Sequence, residues 1–239
     1  MYKVFFNQKP IFLTTELVPQ TDRTPVMFMK FSSPENIVKA LKSKKTECLY
    51  LYHQKEDKLW MHFLRHFPIV EAAGGLVRHQ DGRFLFIYRN DKWDLPKGRI
   101  EKNEPIRIAA VREVEEETGV DGLEIVKPLI ETFHVFNRNG KYKLKKTFWF
   151  EMKTASTITL TPQLNEGIEQ AVWVFEKEIQ HKFENAYENI KQVYGPVVAK
   201  VLGHALMWRI FDATQSLVCD IDTVVRVKEL YSRVVGMLR

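Results

Sequence analysis

The 239-residue sequence predicts an α/β protein, with a small α+β unit ahead of its main domain and helices behind it. Three observations support that class. Strand-like apolar runs are interleaved with amphipathic helical segments between residues 68 and 193. An Asp81-Gly82 pair separates two of those runs and signals a hairpin. One segment, residues 98–120, carries glutamates at helical spacing between two glycines.

The elements follow in order. Residues 2–6 and 10–14 read as a hairpin around Asn7-Gln8-Lys9, and 26–31 as a third strand. Ser32 or Ser33 caps a helix that has Pro34 in its first turn and runs to Lys42. Residues 48–52 form another strand and 58–67 a helix, so 1–67 is expected to be a unit of its own. His62 and His66 lie four apart on that helix and His53 precedes them. No carboxylate or cysteine completes a ligand set there, so packing is their expected role.

The main domain is expected over 68–193. Residues 71–78 and 84–89 pair across the His79-Gln80-Asp81-Gly82 turn. A helix is expected over 103–118, because Pro105 suits a first turn and Gly119 stands where a stop belongs. Ile106, Ala109, Ala110 and Val114 give it a buried face. Strands follow near 123–126, 130–137, 143–152 and 171–175, then a closing helix over 176–193. Gly195-Pro196 marks a break, and the extension 194–239 reads as two amphipathic helices near 197–217 and 223–238.

Within the 103–118 helix, Glu113 lies three residues from Glu116 and four from Glu117, which crowds carboxylates onto one side. Each like-charge pair costs the helix a few tenths of a kcal/mol, roughly, and Arg112 offsets only part of this. An isolated acidic run would be a solvated face. The arginine, the Glu104 eight residues before it and the flanking glycines point instead to a hard, oxygen-ligated cation, Mg2+ or Mn2+.

Gly98 to Val120, GRIEKNEPIRIAAVREVEEETGV, fits the pattern G-x5-E-x7-R-E-U-x-E-E-x-G-U at every fixed position, U being aliphatic. A chance match in a chain of this composition is on the order of one in ten million, so the segment is identified as resembling the Nudix box. The resemblance implies an α/β/α sandwich on a mixed sheet and hydrolysis of a diphosphate linkage with a divalent metal. It implies Gly98 (through its carbonyl), Glu113, Glu116 and Glu117 as metal ligands, Arg112 as the residue that orients one of those carboxylates, and Glu104 as a supporting acid. The catalytic set is then Glu113, Glu116, Arg112 and a base. Glu166 is the preferred base, because Gly167 beside it suggests a loop free to approach, and Glu169 is the other candidate. Lys97, in the Trp93-Asp94-Leu95-Pro96-Lys97-Gly98 loop, is expected to meet phosphate. Arg89 and Tyr142 are further substrate-binding candidates, with His134 beside them.

Composition bounds the function without naming it. Hydrophobic content of 45% and charged content of 28% describe an ordinary globular chain. No apolar run reaches membrane-span length, no signal-peptide layout opens the chain, and Cys48 and Cys219 read as reduced thiols, so a cytoplasmic location is expected. The net charge of +6 suits anionic substrates, but the basic residues are spread along the chain, so nucleic acid is not the expected main partner.

The expected function is a pyrophosphohydrolase acting on a nucleoside diphosphate linked to another moiety: a dinucleoside polyphosphate, a nucleotide or a nucleotide sugar. The partner is a small nucleotide and not a membrane. Family members are frequently dimers, which makes a homodimer through residues 1–67 an arrangement the resemblance allows. Two other readings stand beside it, a nucleotide-sensing regulator and an RNA-end pyrophosphohydrolase.

Overall fold

The N-terminal alternation produces the hairpin expected of it: β1 (Tyr2–Phe6) pairs antiparallel with β2 (Lys9–Thr14), and Asn7 turns the chain at φ 54°. The computed structural model describes residues 2–201, with side chains as far as residue 195. The third strand is shorter than expected, since β3 (Val26–Phe28) gives way to a 3-10 turn over Met29–Phe31. Helix α1 (Pro34–Lys42) is capped by Ser33, whose hydroxyl accepts from the Asn36 N–H at 3.3 Å. Strand β4 (Leu49–Tyr52) and helix α2 (Glu56–His66) complete this part. Cys48, buried before β4, is disulfide-bonded and not the reduced thiol expected; the other cysteine of the chain, Cys219, lies outside the described residues.

The remaining elements are β5 (Ile69–His79), β6 (Phe84–Arg89), β7 (Lys92–Asp94), β8 (Lys97–Arg99), α3 (Ile106–Thr118), β9 (Glu124–Arg138), β10 (Lys141–Thr154), β11 (Ile168–Val174), α4 (Glu176–Glu184) and α5 (Glu188–Val201). Among the described residues the strands form one mixed sheet in the order β11-β6-β5-β10-β9-β1-β2-β4-β3, with β7 on β6 and β8 on β5. Strand β10 runs parallel to β5 and antiparallel to β9. Strand β1 joins β9 in parallel at Phe5↔His134 and Phe6↔Val135, so the N-terminal strands continue the same sheet. Their core reaches across that join: Val135 and Leu144 pack with Ile11, Leu49 and Phe63.

Helices cover both faces. Ala109, Ala110 and Val114 of α3 bury against Val77, Phe150 and Met152. On the opposite face Ile179 of α4 and Ile190 and Val193 of α5 pack on Phe86 and Trp149. This is the expected α/β/α sandwich.

Three further expected boundaries differ. Strand β9 is continuous where two strands were expected, because Pro128 sits beside a register shift between Phe148 and Phe150 that absorbs its missing N–H. The expected 176–193 helix is split at residues 185–187, where the chain pairs with β7: the Trp93 N–H donates to the Asn185 carbonyl at 2.9 Å and the Tyr187 N–H to the Trp93 carbonyl at 3.4 Å. The Gln8 amide donates to the Ala186 carbonyl at 3.0 Å and its oxygen accepts from the Glu188 N–H at 3.2 Å, tying the N-terminal turn to this junction. Finally, α5 runs through Gly195-Pro196 to Val201 where a break was expected; a proline removes one helical N–H without obliging the chain to stop. The second expected tail helix and most of the first lie outside the described residues.

Candidate active site

Helix α3 carries the acidic residues, and its ends explain its place. Pro105 stands at the N-cap, and Gly119 closes the helix at φ 73° while its N–H donates to the Glu115 carbonyl at 2.7 Å. Arg112 is the hub of its outer face. Nε and Nη2 donate to the two oxygens of Glu104 at 2.7 and 2.8 Å, and Nη2 also to the Arg99 carbonyl at 3.1 Å. Nη1 donates to Glu113 Oε1 and to Glu116 Oε2, both at 2.9 Å. The guanidinium holds Glu104 down to a pKa of about 2. Glu113 is pushed above the ordinary carboxylate value because burial outweighs the pull of Arg112. Its carboxylate lies against the Cα of Gly98, in the space a Cβ there would occupy.

The loop after β10 reaches the same place. Thr161 and Gln163 donate their N–H groups to the Thr118 and Glu117 carbonyls at 2.8 and 3.2 Å, pinning the loop to the end of α3. A 3-10 turn over Leu164–Glu166 follows, and Gly167 leaves it at φ 75°. Glu166 thereby lines one cleft of about 460 Å³ with Glu113, Glu116, Arg112 and Arg99. Glu169, on β11, does not line it.

Among the described residues no three His, Cys, Asp or Glu side chains are arranged as a closed metal-ligand set. The Arg112 guanidinium occupies the space between Glu113 and Glu116. The donor chemistry of the cleft nevertheless fits a hard cation. Its acidic donors are all oxygen, Glu113 is buried with one shared countercharge, and the missing Cβ of Gly98 is what admits that carboxylate.

Glu117 is placed apart from the other two. It is fully buried, accepts from the Lys97 N–H at 2.7 Å, and meets Arg89 Nη1 at 3.3 Å. Burial raises its pKa to about 7 against the pull of Lys97 and Arg89. Those two partners, with His134 and Lys145, line a second cleft of about 320 Å³. Lys97, expected to meet phosphate, lines this cleft, but its Nζ pairs with Asp94 at 2.6 Å and both are buried. Tyr142 lines neither cleft; it packs on Phe6 in the N-terminal core, under the Lys42 ammonium. Sequence reasoning missed Asp94, Lys145 and Asn189. Asp94 had a local signal, three residues before Lys97, whereas the other two are brought in by strand register and by the α4–α5 break.

His134 supplies a pH test. Burial, with Lys145 beside it, lowers its pKa from 6.5 to about 4. The unfolded chain therefore binds a proton below 6.5 that the fold refuses, so stability is lost as pH falls from 6.5 towards 4. Wild type measured against His134→Gln by urea unfolding should lose on the order of 2–3 kcal/mol across that window. A difference independent of pH would place His134 in water.

A family model, NUDIX domain, matches residues 68–194, just over half of the chain. An RNA pyrophosphohydrolase of Sphingopyxis alaskensis is 31% identical over 100 residues, covering 36% of this chain and 63% of that protein. One from Pelagibacter ubique is 29% identical over 98 residues, with 36% and 62% covered. The chain thus spans less than two thirds of the length of these relatives. Among solved structures, a C. elegans Ap4A hydrolase binary complex aligns with a TM-score of 0.41 at 20% identity, over 56% of this chain and 98% of that one. No helix among the described residues is long and apolar enough to cross a membrane. With the complete glutamate pattern on α3 and the family match over the domain that α3 serves, the chain belongs to the NUDIX domain family.

Proposed function

We propose that this chain is a pyrophosphohydrolase that uses Mg2+ or Mn2+ to cleave a diphosphate linkage in a small nucleotide. The observation that carries this reading is the convergence of Glu113, Glu116 and Glu166 on one cleft. Glu113 and Glu116, with Glu117 and the Gly98 carbonyl in support, would hold the ion, which when bound polarises phosphoryl oxygens and offsets their charge. Arg112 keeps Glu113 and Glu116 aligned. Glu166 accepts the proton of the attacking water as its oxygen adds to phosphorus, and the bridging oxygen leaves with the other half. Arg99, at the same cleft, faces the negative charge that develops on the transferred group. Lys97 and Arg89 serve the remainder of the substrate on the far side of Glu117.

A panel tests this: ADP-ribose, diadenosine polyphosphates, nucleoside triphosphates and triphosphorylated RNA, with released phosphate measured after coupling. Turnover of at least one supports the reading, and tight nucleotide binding without turnover would replace it with the sensing regulator. Glu166→Gln should lower kcat about 10²- to 10⁴-fold with little change in KM; an unchanged kcat would move the base to another residue. The RNA-end reading is favoured by one observation, the name shared by the two bacterial relatives. It predicts that the RNA of the panel outruns every mononucleotide.

A further inference from the structure

The second cleft holds one buried basic nitrogen without a hydrogen-bond partner, His134 Nε2, and beside it an ammonium in no ion pair among the described residues, that of Lys145. The antiparallel register of β9 and β10 sets Lys145 opposite His134. Both line the cavity, together with Tyr187 just before α5 and Asn189 within it. The other cations there are already answered, Lys97 by Asp94 at 2.6 Å and Arg89 by Glu117 at 3.3 Å. Lys145 has no carboxylate partner among the described residues; its ammonium lies 5.1 Å from the Phe136 ring centroid. His134 Nε2 is buried with no hydrogen-bond partner. A buried imidazole nitrogen left unpaired costs free energy, and a ligand rich in acceptor oxygens removes that cost while meeting the Lys145 ammonium that lines the same cleft.

We propose that Lys145 and His134 form an anion subsite for a phosphate group other than the two being separated, so that the chain prefers nucleotides bearing three or more phosphates to nucleotide sugars. This rests on the pyrophosphohydrolase reading and adds the substrate class to it. Lys145 supplies a compact point charge suited to a phosphate oxygen. His134, whose pKa of about 4 leaves it neutral near pH 7, supplies a hydrogen bond without charge. Glu117 links the two sides: it takes the Lys97 N–H and the Arg89 guanidinium, both from residues that line this cleft, while its helix presents Glu113 and Glu116 to the other. A phosphate chain reacting at the glutamates therefore has a basic place prepared for its extension.

Two measurements decide it. Inorganic tripolyphosphate is titrated calorimetrically into the full chain in chelator. Wild type should bind, Lys145→Met should weaken binding roughly tenfold to a hundredfold, and Lys145→Arg should restore most of it. Lys141→Met, at the exposed end of the same strand, controls for surface charge and should change little. In turnover, the ratio of kcat/KM for diadenosine tetraphosphate over ADP-ribose should fall in Lys145→Met by a similar factor. No tripolyphosphate binding by wild type overturns the proposal, as does an equal loss for both substrates. If Lys145→Met does not fold, Lys145→Gln takes its place and the wild-type titration still stands. Wild type that binds tripolyphosphate but hydrolyses nothing would retain the subsite and remove the enzyme reading instead.

Discussion

Glu116→Gln is expected to abolish most activity, by roughly 10²- to 10⁴-fold, because the charge stabilisation a bound divalent ion supplies is worth several kcal/mol of the barrier. The same change should leave the fold intact. Glu116 has a side chain 48% exposed and meets Arg112 alone, in an i,i+4 pair of a kind that contributes about 0.3–0.5 kcal/mol. Arg112 keeps its bonds to Glu104, Glu113 and the Arg99 carbonyl without it. Kinetics and thermal melting measured on one preparation separate the two effects. A variant that melts like wild type and also works like wild type would remove Glu116 from the site.

Gly98→Ala should damage both fold and activity. The added methyl falls on the Glu113 carboxylate, which must swing off Gly98 into the cleft it lines and give up its bond to Arg112. Overpacking of this kind costs about 1–3 kcal/mol. Displacing a catalytic group by about 1 Å can also cost up to a hundredfold in rate. Urea unfolding and kcat should therefore fall together, in contrast to Glu116→Gln, where only kcat falls. Native values of both would show that the glutamate does not rest on Gly98.

The part of the site that lies within one helix was legible, and the part assembled by pairing was not. The spacing of Arg112, Glu113 and Glu116 is enough to predict that they meet, because residues three and four apart on a helix are neighbours whatever surrounds it. Glu117 satisfies the same rule, yet it turns to the Lys97 N–H, which β8 presents there through its pairing with β5. Lys145 and His134 are eleven residues apart in sequence and adjacent only through the β9–β10 register, which the sequence of either strand leaves open. The split between α4 and α5 was equally hidden. Its cause is a strand, β7, nearly a hundred residues earlier, together with the Gln8 amide still further away. Strand β9 differs in the opposite sense: 123–126 and 130–137 read as separate strands, yet Pro128 between them is accommodated within β9 beside a register shift.

The fold class, by contrast, follows from local pattern. Alternating apolar strands, an Asp-Gly turn and an amphipathic helix with apolar positions at Ala109, Ala110 and Val114 suffice for a sheet covered by helices. What the pattern did not contain is that β1 would join β9 and carry the N-terminal strands into the same sheet, placing the Gln8 turn against the wall of the second cleft.

The most direct test of the central claim is a metal titration of wild-type turnover. The protein is stripped with chelator, given a substrate the panel has identified, and assayed as Mg2+ or Mn2+ is returned. Cleavage should be absent in chelator and rise to saturation with the ion, with Glu116→Gln flat throughout. Cleavage that persists in chelator, or that Glu116→Gln shows equally, would contradict a metal-dependent site built on Glu113 and Glu116.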